Sequence, residues 1–174
     1  VWRSRRHRRR SSCWSVCVGC GAVCLRTFGS IGWRPTKAVA EVGFLDTNVL
    51  LYLLSADPRK AERAEALVGR GGWVSVQVLN EFASVASRKY RLGWEEIREV
   101  LAAVRAHCGV VALTPELHDR GLDLLESHSL SVFDAMIVAA AQEAGCTVLW
   151  SEDMQDGKVF ESVLQLRNPF KEIH

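Results

Sequence analysis

Phe133-Asp-Ala-Met-Ile-Val-Ala-Ala-Ala-Gln-Glu-Ala-Gly-Cys-Thr-Val-Leu-Trp150 is the stretch whose reading decides the fold. From Phe133 to Ala144 apolar side chains occupy nearly every position, so no polar stripe runs along the segment and it reads as a helix buried on most sides. Gly145 supplies the stop that closes such a helix. Thr147 to Trp150 then reads as a short strand without polar alternation, the pattern of a strand covered on both faces. A helix and a strand that both need cover on more than one side imply a parallel sheet held between helical layers.

Working outward, the same alternation recurs. Val163 to Leu166 reads as a later strand. Upstream, Val110 to Leu113 reads as a strand, and Thr114-Pro115 caps and opens a helix over Glu116 to Ser127. Trp94 to Ala106 carries Ile97, Leu101 and Val104 at helical spacing, and Val78 to Tyr90 carries Val78, Phe82, Val85 and Ala86 on one face. Trp73 to Val76 is a strand, and Asp57-Pro58 starts a helix that Gly69 to Gly72 ends. Val42 to Leu45 is the first strand, followed by a short buried helix from Asn48 to Leu54. The fold class is α/β, a parallel sheet of four to five strands flanked by helices.

Composition bounds what such a domain does. The chain has 174 residues, 22 basic and 20 acidic side chains and 48% apolar residues, and no apolar run long enough to cross a bilayer. These values exclude a disordered polyelectrolyte, a fibrous repeat and a membrane-spanning protein. The net charge of +2 conceals an asymmetry: residues 1–40 hold nine Arg and Lys and no acid, leaving residues 41–174 with 13 basic and 20 acidic side chains, a net of −7. The domain expectation is therefore a basic extension over 1–40 and one folded domain over 41–174.

The extension contains the run RRHRRR, three Trp, and Cys13, Cys17, Cys20 and Cys24. Four readings stay open for it: a zinc site of unusual spacing, a nucleic-acid arm drawing on counterion release, an export signal without a clear cleavage site, or read-through upstream of a wrongly chosen start. Disorder is expected and no function is assigned. Cys108 and Cys146 stand alone in apolar surroundings and read as buried thiols in a reducing, cytoplasmic setting.

The chemistry concentrates in four acids. Asp46 closes the first strand and Asp153 follows the Thr147–Trp150 strand, so both fall beyond strand carboxyl ends, where open α/β sheets form their crevice. Glu81 shares a helical stripe with Val78 and Val85, and Asp134 stands at the start of the most apolar helix. Each alone has a structural explanation, such as a turn, a first-turn acid favoured by the helix dipole, or a solvated loop. Brought together, four carboxylates take up protons or cost stability unless a cation neutralises them. Hard oxygen ligands of this kind suit Mg²⁺ or Mn²⁺, ions that generate hydroxide and shield a phosphodiester during in-line attack.

The blocks Phe44-Leu-Asp-Thr-Asn-Val-Leu-Leu51, Asn80-Glu81, Phe133-Asp-Ala-Met-Ile137 and Ser151-Glu-Asp-Met-Gln-Asp-Gly157 resemble, in that order, the PIN-domain ribonucleases, and especially VapC-type toxins of bacterial toxin–antitoxin pairs. The resemblance runs from about Val42 to the C-terminus. It implies that Asp46, Glu81, Asp134 and Asp153 hold one or two Mg²⁺ or Mn²⁺ ions and position a water. It also implies that Thr47, Asn48 and Ser151 orient those carboxylates, with Asp156 further out. Cleavage of single-stranded or loop RNA to a 3′-hydroxyl and a 5′-phosphate, a homodimer, and silencing by a cognate antitoxin follow from the same likeness. The basic extension departs from it.

Two other classes remain beside this endoribonuclease. A non-catalytic RNA- or partner-binding module would use the same groove without cutting. A phosphatase using Asp46 as nucleophile would want a second Asp at position 48, which is Asn. For a domain of net −7, contact with RNA rests on metal and local basic groups, for which Arg88, Lys89, Arg91, Arg98 and Arg105 are the candidates.

Overall fold

A computed structural model describes residues 43–172. The segment 1–40, with its zinc, arm, export-signal and start-codon readings, lies outside the described residues.

The described residues form six strands and six helices. They are β1 (Gly43–Leu45), α1 (Thr47–Leu51) running into a 3-10 turn (Tyr52–Leu54), α2 (Pro58–Gly69), β2 (Gly72–Ser75), α3 (Val76–Lys89), α4 (Trp94–His107), β3 (Cys108–Val111), α5 (Pro115–His128), α6 (Val132–Glu143), β4 (Val148–Trp150), β5 (Val159–Phe160) and β6 (Leu164–Arg167). The sheet order is β3-β2-β1-β4-β6-β5. All neighbours are parallel except the β5–β6 pair. The chain steps outward from β1 through β2 to β3, then returns to lay β4 on the other side of β1. The strand order therefore reverses between β1 and β4, the position where open α/β sheets leave a crevice at their carboxyl ends.

Local chemistry explains the boundaries. Ser75, Thr114 and Ser131 cap α3, α5 and α6 by accepting hydrogen bonds from the backbone N–H groups of Val78, Leu117 and Asp134, and Pro58 and Pro115 sit at the first helical positions they suit. Helix α6 buries Ala135 through Ala141 without a break, which answers its lack of a polar stripe. Phe44, Leu149, Phe82, Phe160 and Phe170 are fully enclosed in the core.

The structure corrects the sequence reading at three places. The third strand is Cys108–Val111 rather than Val110–Leu113, because Gly109 lies under the Trp73 ring, where a β-carbon would come within 2.6 Å of the indole. The missing side chain, which reads as a break in sequence, makes room for a cross-strand aromatic. Val76 opens α3 rather than ending β2, since the Ser75 hydroxyl caps the helix there. The sheet has six strands rather than four to five: the added one, β5, is a two-residue antiparallel edge, too short to show a period. Cys108 and Cys146 are buried free thiols, each pushed up to about 12 by burial.

Candidate active site

Strands β1 and β4 set the site because they end level: Leu45 pairs with Trp150, and the Asp46 backbone N–H donates to the Trp150 carbonyl at 3.0 Å. Asp46 and Ser151 therefore leave adjacent strand ends side by side. Asp46 caps α1, its carboxylate accepting from the Thr47 backbone N–H. Its second oxygen accepts from the Ser151 hydroxyl at 2.6 Å and from the Asn48 amide at 3.1 Å. The Asn48 amide also donates to Ser151 Oγ at 3.3 Å. Asp46, Thr47, Asn48 and Ser151 are all buried.

Glu81 comes from α3, which starts at the end of β2. The Thr47 hydroxyl donates to one of its oxygens at 2.6 Å and the Gln77 amide to the other at 2.8 Å. Asp134 stands in the first turn of α6, half-buried. Asp153 is exposed on the bend after β4. All four acids line one cleft of about 390 Å³, with Thr47, Asn48, Leu51, Ser84, Val85, Arg88 and Phe133.

Burial dominates the electrostatics. It pushes the Asp46 carboxyl up from 3.8 to about 7, against the stabilising hydrogen bonds from Ser151 and the Thr47 backbone, and the Asp134 and Asp153 charges push the same way. The cleft therefore places a desolvated carboxyl among like charges, an arrangement a cation relieves. The donors are hard oxygens, the kind Mg²⁺ and Mn²⁺ take, and the buried Asn48 Oδ1 has no hydrogen-bond partner. Among the described residues no three His, Cys, Asp or Glu side chains stand close enough to enclose an ion. The acids line the walls, and Glu81 is turned toward Thr47 and Gln77.

Five features depart from the sequence reading or add to it. Asp156 lies outside the cleft lining, accepting from the Asn168 backbone N–H at 2.9 Å and pairing with Lys171 at 2.8 Å. Of the five basic candidates, Arg88 lines the cleft and Lys89, Arg91, Arg98 and Arg105 do not. Val85 faces the cleft instead of joining Val78, Phe82 and Ala86 in the core. Phe133 was not singled out; a large aromatic directly before Asp134 was the available signal. A second missed group is the contact of Glu152 with the Tyr52 hydroxyl and, at 3.0 Å, with Lys60, which ties the bend carrying Asp153 to the 3-10 turn and α2.

The PIN domain family model matches residues 43–157, and the chain belongs to that family. Its fold is similar to that of Mycobacterium tuberculosis VapC20, a toxin that cleaves the sarcin–ricin loop (TM-score 0.53, 24% identity, covering 64% of this chain and 89% of that one). It is also similar to a toxin–antitoxin complex from Klebsiella pneumoniae (TM-score 0.55, 22% identity, 73% and 97%). A third likeness is to VapBC2 from Rickettsia felis bound to a promoter DNA fragment (TM-score 0.53, 19% identity, 72% and 97%). A search of curated protein sequences gives no match. No single helix among the described residues is long and apolar enough to cross a membrane.

Proposed function

We propose that the chain is a Mg²⁺- or Mn²⁺-dependent endoribonuclease, a cytoplasmic homodimer acting as the toxin of a toxin–antitoxin pair. The observation that carries this reading is the shared cleft, into which four elements each bring one acid, with Asp46 buried at its floor. Asp46, Glu81, Asp134 and Asp153 would hold the ion, which when bound neutralises the carboxylates and supplies an activated water for attack on phosphorus. Asn48 and Ser151 fix the Asp46 carboxylate, and Thr47 and Gln77 fix that of Glu81. Antitoxin control fits the same charges, because a basic side chain entering the cleft would satisfy the carboxylates in place of metal. The toxin–antitoxin complexes among the structural neighbours support that partner.

A non-catalytic binding module is the second reading, favoured by the lack, among the described residues, of three acids close enough to enclose an ion and by the two bonds already held by Glu81. A phosphatase fits less well, since both Asp46 oxygens accept hydrogen bonds and Asn48 stands where a second Asp would serve. The test is incubation of a labelled RNA hairpin with the protein in Mg²⁺, in EDTA, and with Asp46→Asn. The nuclease cuts in Mg²⁺ alone, and Asp46→Asn loses at least a hundredfold in rate. RNA binding without cutting overturns the catalytic reading in favour of the module, and a phosphoenzyme overturns it in favour of the phosphatase.

A further inference from the structure

The cleft lining carries five side chains that the acid chemistry does not use, Leu51, Ser84, Val85, Arg88 and Phe133. Helix α3 presents Glu81, Ser84, Val85 and Arg88 to the cleft, at spacings of three, four and seven residues, which form a single stripe. Two turns separate Glu81 from Arg88, a rise of roughly 10 Å, so the stripe runs from a carboxylate at one end to a guanidinium at the other. Arg88 is the basic residue in the cleft lining. Phe133, beside Asp134 at the start of α6, lines the same cleft and is 59% exposed. It is a large aromatic side chain open to solvent in the lining of a charged cleft.

We infer that Phe133 and Arg88 are the substrate grip, with Phe133 stacking on an unpaired base beside the scissile phosphate and Arg88 taking a neighbouring phosphate of the same strand. This rests on the nuclease reading above. Stacking on a side chain requires a base free of its partner, since paired RNA keeps its bases inside the helix. The occupant is therefore single-stranded RNA, and its polyanion complements the one guanidinium in the lining. Leu51 and Val85, half-buried in the same lining, give the base an apolar floor. The arrangement answers how a domain of net −7 holds a polyanion: it grips locally, with one stacking contact and one charge.

The test is fluorescence anisotropy of a labelled single-stranded RNA, and of its duplex, with the full chain in Ca²⁺, alongside cleavage kinetics in Mg²⁺. Phe133→Ala is expected to weaken single-strand binding about tenfold and raise KM with little change in kcat, while Phe133→Trp restores both. Arg88→Ala is expected to weaken binding and reduce the salt slope by about one released ion. The duplex is expected to bind weakly to every variant. If the wild type cuts RNA and Phe133→Ala leaves affinity and KM unchanged, this inference fails and the nuclease reading stands. If the wild type neither binds nor cuts RNA, both fail. If Phe133→Ala converts a dimer to a monomer in sedimentation without changing RNA affinity, the surface belongs to a second copy of the chain and the inference is overturned.

Discussion

Asp46 concentrates the conflict between folding and chemistry in one side chain. Its carboxyl titrates at about 7 in the folded protein against 3.8 as a free group, chiefly because it is buried. The folded state thus keeps a proton that the unfolded chain releases, so stability from this group falls as pH rises from about 4 to 7 and is flat above. In EDTA at pH 8, Asp46→Asn is expected to melt several degrees above the wild type, with the difference vanishing near pH 4; a wild type that gains on the variant as pH rises would contradict the assignment. The same residue was legible in the sequence because an acid directly after an apolar strand stands where crevices form. Phe133 was not, because exposure depends on what α6 packs against, and a phenylalanine inside an apolar run looks like core. Asp156, which the resemblance sets further out, lies outside the cleft lining, where Lys171, distant in sequence, pairs with it.

At the scale of elements, the level ends of β1 and β4 and the bend after β4 set the acids. Glu152 anchors that bend, since its carboxylate meets Lys60 of α2 and the Tyr52 hydroxyl, and the Lys60 ammonium lies 4.5 Å from the Tyr52 ring centre. Lys60→Met is expected to reduce RNA cleavage by lowering metal affinity while costing about 1 kcal/mol of stability, measured by Mn²⁺ titration beside urea unfolding. Equal metal affinity in the two proteins would show that the anchor serves the fold alone. Gly72 is the tighter constraint: its φ is +149°, and a β-carbon there would come within 2.5 Å of the Gly43 carbonyl oxygen. Gly72→Ala should destabilise by about 2 kcal/mol or more in urea unfolding through the β1–β2 pairing, and an unchanged midpoint would show that the strands can separate to admit it. Most elements were readable from period and caps, as with Thr114 before α5. Strand β3 was displaced by two residues because Gly109 is a breaker in sequence and a packing device under Trp73, a distinction only the neighbouring strand makes.

Across the whole molecule, the alternation of short apolar strands with capped helices fixed the α/β class before any site was considered. The reversal of strand order between β1 and β4 then brought residues more than 100 positions apart, Asp46 and Ser151, within 2.6 Å. Order in the sheet is not written in any local pattern, so strand ends pointed Asp46 and Asp153 to a crevice, while the meeting of Glu81 and Asp134 with them rested on family-like spacing. If a shared ion relieves their crowding, Mg²⁺ should raise the melting temperature of the wild type near neutral pH and leave that of Asp46→Asn nearly unchanged. The most direct measurement is a titration of the protein with Mn²⁺ at about pH 7.5, following free Mn²⁺ by electron paramagnetic resonance. The wild type should take up one or two ions per chain, and Asp46→Asn and Asp134→Asn should each lose that uptake. Equal uptake by all three proteins, or none by the wild type, would contradict a cleft built to hold a divalent ion.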